Sequence, residues 1–249
     1  MNRRSTASLS FLQNAQFQLI DNSQEGDHYN DPYNRSRNVL VHSNAYSKLF
    51  LSLTNSNNLS VIAHDKLEAL FDGGDSEQVI NLGENPQIFE NSFEFESKIT
   101  SILLSNSENF ISILTQQNLY IFHLASMLCI KDNFNCNLSI FSTKTIENID
   151  NFFLEWSPIE DILLILIQKE TLKIVNPMKG SLDNVIDLTS KLSLIIDSVC
   201  WSKYAKNQLL ISYENNLKLI SFDNKDNSAE ELKICKELVP TSGDNIGKF

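Results

Sequence analysis

The chain has 249 residues, four cysteines and a formal net charge of −11. Its 42% hydrophobic fraction suffices for a folded core, and the longest apolar run, Ile162 to Ile167, is far too short for a membrane-spanning helix. With 20 Lys and Arg against 31 Asp and Glu, nucleic acid and anionic membrane surfaces are poor partners, because both need a concentrated basic face.

Residues 1–16 carry basic side chains with no apolar stretch behind them, so they read as a flexible start without a secretory signal. On that reading the protein is soluble and intracellular, its cysteines are reduced thiols, and the sequons at Asn34, Asn58 and Asn137 are unused. Phe17 to Ile20 predicts a short strand and Asp21 to Asp31 an acidic loop. From there to residue 222 the chain reads as strands grouped in four cores, 40–62, 99–122, 153–175 and 198–220. Two longer stretches, Asp65 to Asn91 and Lys131 to Glu147, read as insertions between the groups. Glu94 and Glu96 alternate with Phe93 and Phe95, the mark of a strand with one acidic and one apolar face. Residues 223–249 read as a polar tail or the start of a further unit.

The last two cores align without a gap. Leu154-Glu-Trp-Ser and Val199-Cys-Trp-Ser open them, so that Trp156 pairs with Trp201, Ser157 with Ser202 and Leu172-Lys173 with Leu217-Lys218, all 45 residues apart. Weaker copies start at His42-Ser43 and Leu104-Ser105. Each copy has an apolar or aromatic residue, then Ser, a polar turn, an apolar strand, a tight polar turn such as Gln116-Gln-Asn118 or Glu214-Asn-Asn216, and an alternating strand. Short strands bounded by turn residues describe an antiparallel meander. The successive serines lie 62, 52 and 45 residues apart, the spacing of β-propeller blades. The expected fold class is therefore all-β, a divergent WD40-like β-propeller with about four blades. The Gly-His and Trp-Asp signatures of WD40 repeats are absent. The two tryptophans are expected between adjacent blades, as large aromatics that fill the inter-blade core. Asparagine is expected in the tight turns where such repeats use glycine, since it tolerates the left-handed conformation.

The order of these words resembles the N-terminal β-propeller of the cytoplasmic-filament FG nucleoporin family, which docks the DEAD-box helicase of mRNA export at the nuclear pore. Phe17-Gln-Leu-Ile20 is similar to its opening strand. Leu40-Val-His-Ser-Asn-Ala-Tyr-Ser-Lys-Leu-Phe50 is similar to its first blade opening, and Ile99-Thr-Ser-Ile-Leu-Leu-Ser-Asn-Ser-Glu-Asn-Phe110 to its second. Phe153-Leu-Glu-Trp-Ser-Pro158 and Ile196-Asp-Ser-Val-Cys-Trp-Ser202 match the third and fourth. The resemblance implies a fragment of a seven-bladed ring on the cytoplasmic face of the pore, with other nucleoporins and a helicase as partners. That family's helicase contacts lie largely on later blades and its Phe-Gly repeats beyond the propeller, so no docking residue carries over to this sequence.

The remaining chemistry is sparse. His28, His42, His64 and His123 show no paired-ligand spacing, Cys129 and Cys136 are too far apart for a zinc knuckle, and Cys200 falls in a strand. Asp72-Gly-Gly-Asp75 has a calcium-loop flavour without the other carboxylates such a loop needs, and reads as a turn. Gly-rich phosphate loops and a Gly-x-Ser-x-Gly elbow are missing. The expectations are no catalytic residue, no metal ligand, no cofactor, unassigned docking residues, and a protein partner with a basic surface drawn by the acidic balance. The alternatives are a generic WD40-like scaffold subunit of another intracellular complex, located in the cytoplasm, and a propeller enzyme with convergent polar residues at its channel.

Overall fold

The structure is a computed structural model and describes residues 17–18, 39–53, 56–70, 80–81, 86–130, 141–142, 152–179, 185–187, 195–214, 216–222 and 233–238. The expected flexible start, the acidic loop, the Asp72 to Asp75 turn, His28 and Cys136 lie outside these residues. Two compact units are present, Met1–Ile99 and Thr100–Phe249.

In the first unit, strands β2 (Val39–Ser43), β3 (Lys48–Ser52), β4 (Asn58–Ala63) and β6 (Phe89–Glu94) form an antiparallel sheet in that order. A separate parallel pair joins β1 (Phe17–Gln18) to β5 (Ile80–Asn81). In the second unit three more sheets follow the same plan. They are β7 (Ile99–Leu104), β8 (Phe110–Thr115), β9 (Asn118–His123) and β10 (Phe141–Ser142); β11 (Phe152–Trp156), β12 (Leu163–Ile167), β13 (Thr171–Val175) and β14 (Val185–Asp187); and β15 (Ser198–Trp201), β16 (Gln208–Tyr213), β17 (Asn216–Ser221) and β18 (Lys233–Leu238). Each sheet is a four-stranded meander in chain order, the blade of a β-propeller. The fold is all-β, and its four blades begin at Val39, Ile99, Phe152 and Ser198.

The recurring serine has a local cause. It is the last residue of the first strand in the first blade and directly follows that strand in the other three, and its hydroxyl accepts backbone N–H groups of the turn or of the start of the next strand. Ser43 accepts from Tyr46 at 3.3 Å, Ser105 from Phe110 at 3.2 Å, Ser157 from Ile159 at 3.3 Å and Ser202 from Ala205 at 3.1 Å. Three of the four serines are buried, so a hydroxyl is tolerated there only because it is bonded. The turn between β8 and β9 uses Thr115 in the same way: it accepts from Asn118 N–H at 3.0 Å and donates to the Asn118 carbonyl at 3.1 Å.

Three expectations are corrected. The two insertions do not separate blades but lie inside them, between third and fourth strands, and they close on β6 and β10. A short helix follows the third strand in each of these blades, α1 (His64–Ala69) at the start of the first insertion and α2 (Leu124–Leu128) just before the second, and the strand pattern signalled neither. These helices bury Leu67 and both Leu124 and Met127. The tight turns also depart from the asparagine rule. Ser47, Glu108, Gln168, Lys169 and Glu214 take left-handed backbone angles, and Asn207 is the one asparagine that does so among the described residues. Side chains with a Cβ bear a steric cost there, of roughly 1–2 kcal/mol per residue, which ladder closure on both sides offsets. Finally, the polar stretch after Phe222 holds β18, which pairs with β17 and completes the fourth blade.

Packing within the second unit runs from blade to blade. Phe110, Leu114, Leu119 and Ile121 of its first blade cluster with Trp156, Leu163, Ile165 and Val175 of the next. Ile162, Leu164, Leu166, Leu172 and Ile174 then meet Val199, Trp201, Leu209, Ile211, Ile220 and Phe222. Residues of opposite parity on β12 thus serve two cores, which is why Leu163–Ile167 is apolar throughout rather than alternating. In the first unit, Leu49, Leu51, Ile62, Leu67 and Ile88 form a core of their own, and Lys48 pairs with Glu90 beside it.

Candidate interaction surface

Trp156 and Trp201 occupy equivalent places, the last residues of β11 and β15, opposite Leu163 and Leu209. They are 8% and 5% exposed. The Trp156 indole stacks on Phe110 at 6.2 Å between ring centres and donates to Ser112 Oγ at 3.1 Å. The Trp201 indole lies against Phe222 at 6.0 Å and donates to the Glu155 carbonyl at 3.0 Å. Both side chains therefore face the preceding blade with every polar atom bonded, as the inter-blade reading requires and ligand stacking does not.

Beyond Trp201 the last two blades part to leave a cleft of about 460 Å³. Its walls are Phe152, Phe153 and Leu166 on one blade and Val199, Leu210 and Leu217 on the other. Lys169 and Asp197 pair at its rim, 3.7 Å apart, and Ser198 and Ser212 share a 2.7 Å hydrogen bond across β15 and β16. Phe153 is 42% exposed. Strand burial explains the opening: β12 is apolar and buried on both faces, whereas β16 alternates between buried and half-exposed positions, with Leu210 and Ser212 on its less covered face.

Glu155 is the unusual member of this cleft. Its position, two residues before the blade serine, holds Val41, Leu103 and Cys200 in the other three blades. A carboxylate replaces small or apolar side chains there. Its Oε2 is shielded from water and has no hydrogen-bond partner. Burial pushes the Glu155 carboxyl above the ordinary carboxylate value, opposed by the Trp201 N–H and by the charge of Lys203. The same burial, together with the Glu155 charge, pushes the Cys200 thiol up, so this cysteine is held away from its reactive thiolate form. In the sequence Glu155 is marked only as the one charged residue in an otherwise apolar column of the repeat.

The other residues singled out from sequence take plain places. Glu94 and Glu96 are exposed opposite buried Phe93 and Phe95, as the alternation predicts. The His42 and His64 rings approach to 5.3 Å, a proximity that their spacing did not suggest, and His64 Nδ1 sits 3.5 Å from Glu68. Among the described residues no group of three or more His, Cys, Asp or Glu side chains is arranged to hold a metal ion, and no helix is long and apolar enough to cross a membrane.

No family model matches the chain, and no curated protein does. Solved structures do. Hsv2 of Kluyveromyces lactis is similar at 14% identity and a TM-score of 0.45, over 81% of this chain and 62% of that one. The Cps50 (Swd1) β-propeller domain of Myceliophteria thermophila is similar at 10% identity and a TM-score of 0.44, over 81% and 57%. A chain of the mitotic checkpoint complex is similar at 12% identity and a TM-score of 0.43, over 83% and 53%. This chain spans between 53% and 62% of the lengths of these three.

Proposed function

We propose that the chain is a non-enzymatic protein-interaction scaffold whose partner presents a basic surface. The observation that carries this reading is the cleft between the last two blades, apolar in its walls and lined in part by the half-buried Glu155, in a chain of net charge −11. Apolar walls with few polar groups are the ordinary make-up of a binding site, and a negative surface steers and selects a positive partner. The finer reading is a propeller on the cytoplasmic face of the nuclear pore that docks the DEAD-box helicase of mRNA export and assembles with other nucleoporins. That part rests on the likeness of the blade openings, chiefly Ile196 to Ser202, to the FG nucleoporin family. A second reading is a WD40-like scaffold subunit of another intracellular complex, favoured because Ser198-Val-Cys-Trp-Ser202 is also an ordinary WD40 word.

The test is a binding panel with the full chain against the export helicase, an unrelated basic helicase and single-stranded RNA. Selective binding to the export helicase supports the pore reading. Equal binding to both helicases leaves only the general scaffold, and tight RNA binding would refute the electrostatic basis of both.

A further inference from the structure

We infer that His42 and His64 form an acid-sensitive latch that holds helix α1 over the first sheet, so that lowering the pH releases the helix and uncovers the apolar residues beneath it. His42 stands directly before the blade serine, the place that Trp156 and Trp201 hold in the last two blades. The tryptophans use that place to pack against the preceding blade. His42 instead meets a residue of its own blade: its ring lies 5.3 Å from that of His64, the first residue of α1. The Nε2 atoms of both rings are sealed from water, and the His64 side chain is only 13% exposed. Two further contacts moor the helix. His64 N–H donates to the Ser47 carbonyl at 3.0 Å, and Leu67 joins Leu49, Leu51, Ile62 and Ile88 in the core of this sheet. At six residues α1 is too short to persist on its own and depends on these contacts.

Imidazole is the side chain that gains a charge between pH 8 and pH 5. Among the described residues, the elements around the pair bring Lys48 on β3, Asp65, Lys66 and Glu68 on α1, and Glu90 on β6. Strand β4 brings no charged group, and Glu94 sits at the far end of β6, beside Asn57. Glu90 pairs with Lys48 and, at 3.9 Å, with Lys66. Glu68 lies 3.5 Å from His64 Nδ1. Three carboxylates thus stand against two ammonium groups, so one imidazolium balances the site and a second leaves it with an excess positive charge. The two charged rings then face each other at 5.3 Å, partly out of water, where like charges repel most. Moving α1 away separates them and returns both to water. The opened state therefore takes up the second proton that the closed state resists, and the closed state gives way as pH falls.

The experiment follows hydrogen exchange of residues 64–70 by mass spectrometry in the full chain, from about pH 7.5 to about pH 5.5, corrected for the intrinsic pH dependence of exchange. Residues 110–115, strand β8 of the second unit, serve as the internal reference. Protection of α1 is expected to fall at least about tenfold over that range while the reference holds. His42→Phe, which keeps an aromatic ring and removes its titration, should cut the fall below about threefold. His64→Gln should do the same, and it carries the test if His42→Phe does not fold. Proton NMR of the ring C–H signals, to which only four histidines contribute, should show the pair charging in two separated steps in the parent. In His64→Gln the His42 ring should charge in one step. Protection of α1 that does not change with pH overturns the proposal, as does a fall that survives in both variants. A fall shared by the reference also overturns it, because it reports acid unfolding of the chain and not release of the helix. Two rings that charge independently of each other overturn it as well, since the latch requires that the second charge be resisted by the first.

Discussion

Trp201 makes three kinds of contact: apolar burial against the preceding blade, an indole N–H on that blade's Glu155 carbonyl, and a ring contact with Phe222 of its own blade. Replacing it with alanine removes all three and leaves a cavity that the rigid strands on either side cannot close. Trp201→Ala should therefore cost roughly 3–5 kcal/mol, read from the shift of the urea midpoint at constant slope. A change below about 1 kcal/mol would mean that the ring is exposed in solution and available for binding. At this scale the sequence was most legible where a residue recurs. The Trp-Ser words placed two tryptophans and their serines correctly, because burial between repeats and turn closure both act on the same position in every blade. It was least legible where one blade departs from the rest. Glu155 stands alone in its column, and the left-handed positions at Ser47, Glu108 and Gln168 are set by ladder closure, not by the residue's own preference.

Between elements, the turns after the first strands carry polar links from one blade to the next. Asp161 accepts from Ser107 at 2.6 Å and from Asn109 at 3.1 Å, while Asn106 donates to the Pro158 carbonyl at 2.9 Å. The next turn repeats the device with an ion pair, Lys206 to Glu160 at 2.8 Å. These groups are partly exposed, so each link is modest. Asp161→Ala should destabilise by about 1 kcal/mol, and a double-mutant cycle with Asn109→Ala should show a coupling near 0.5 kcal/mol or above. Additive single effects would show that the link does not hold in solution. None of this could be read in advance, since which turn reaches which depends on how adjacent blades are set. The insertions were misplaced for a related reason: a fourth strand such as β10, two residues long, is too short in sequence to announce itself, and only pairing with β9 defines it.

For the molecule as a whole, the half-buried Glu155 makes stability depend on pH in a defined direction. Its folded-state value lies above the ordinary one, so the folded protein binds this proton more strongly than the unfolded chain. That contribution is complete below the ordinary carboxylate value and is lost as pH rises through the raised one. Glu155→Gln keeps the size and shape of the side chain and removes the titration. Its thermal midpoint should equal or exceed that of the parent at pH 7, and the difference should shrink as pH falls toward 4. A variant less stable than the parent at pH 7 would show that the charge is compensated, by Lys203 or otherwise.

The central claim is that an acidic propeller surface recruits a basic protein and leaves nucleic acid alone. Stopped-flow association of the full chain with the export helicase tests it most directly, carried from about 0.1 M to about 1 M salt, over which the screening length falls from about 10 Å to about 3 Å. The expected result is an association rate that drops steeply across the series while dissociation changes far less, with single-stranded RNA failing to compete. An association rate that stays flat with salt, or RNA that displaces the helicase from this chain, would contradict the account.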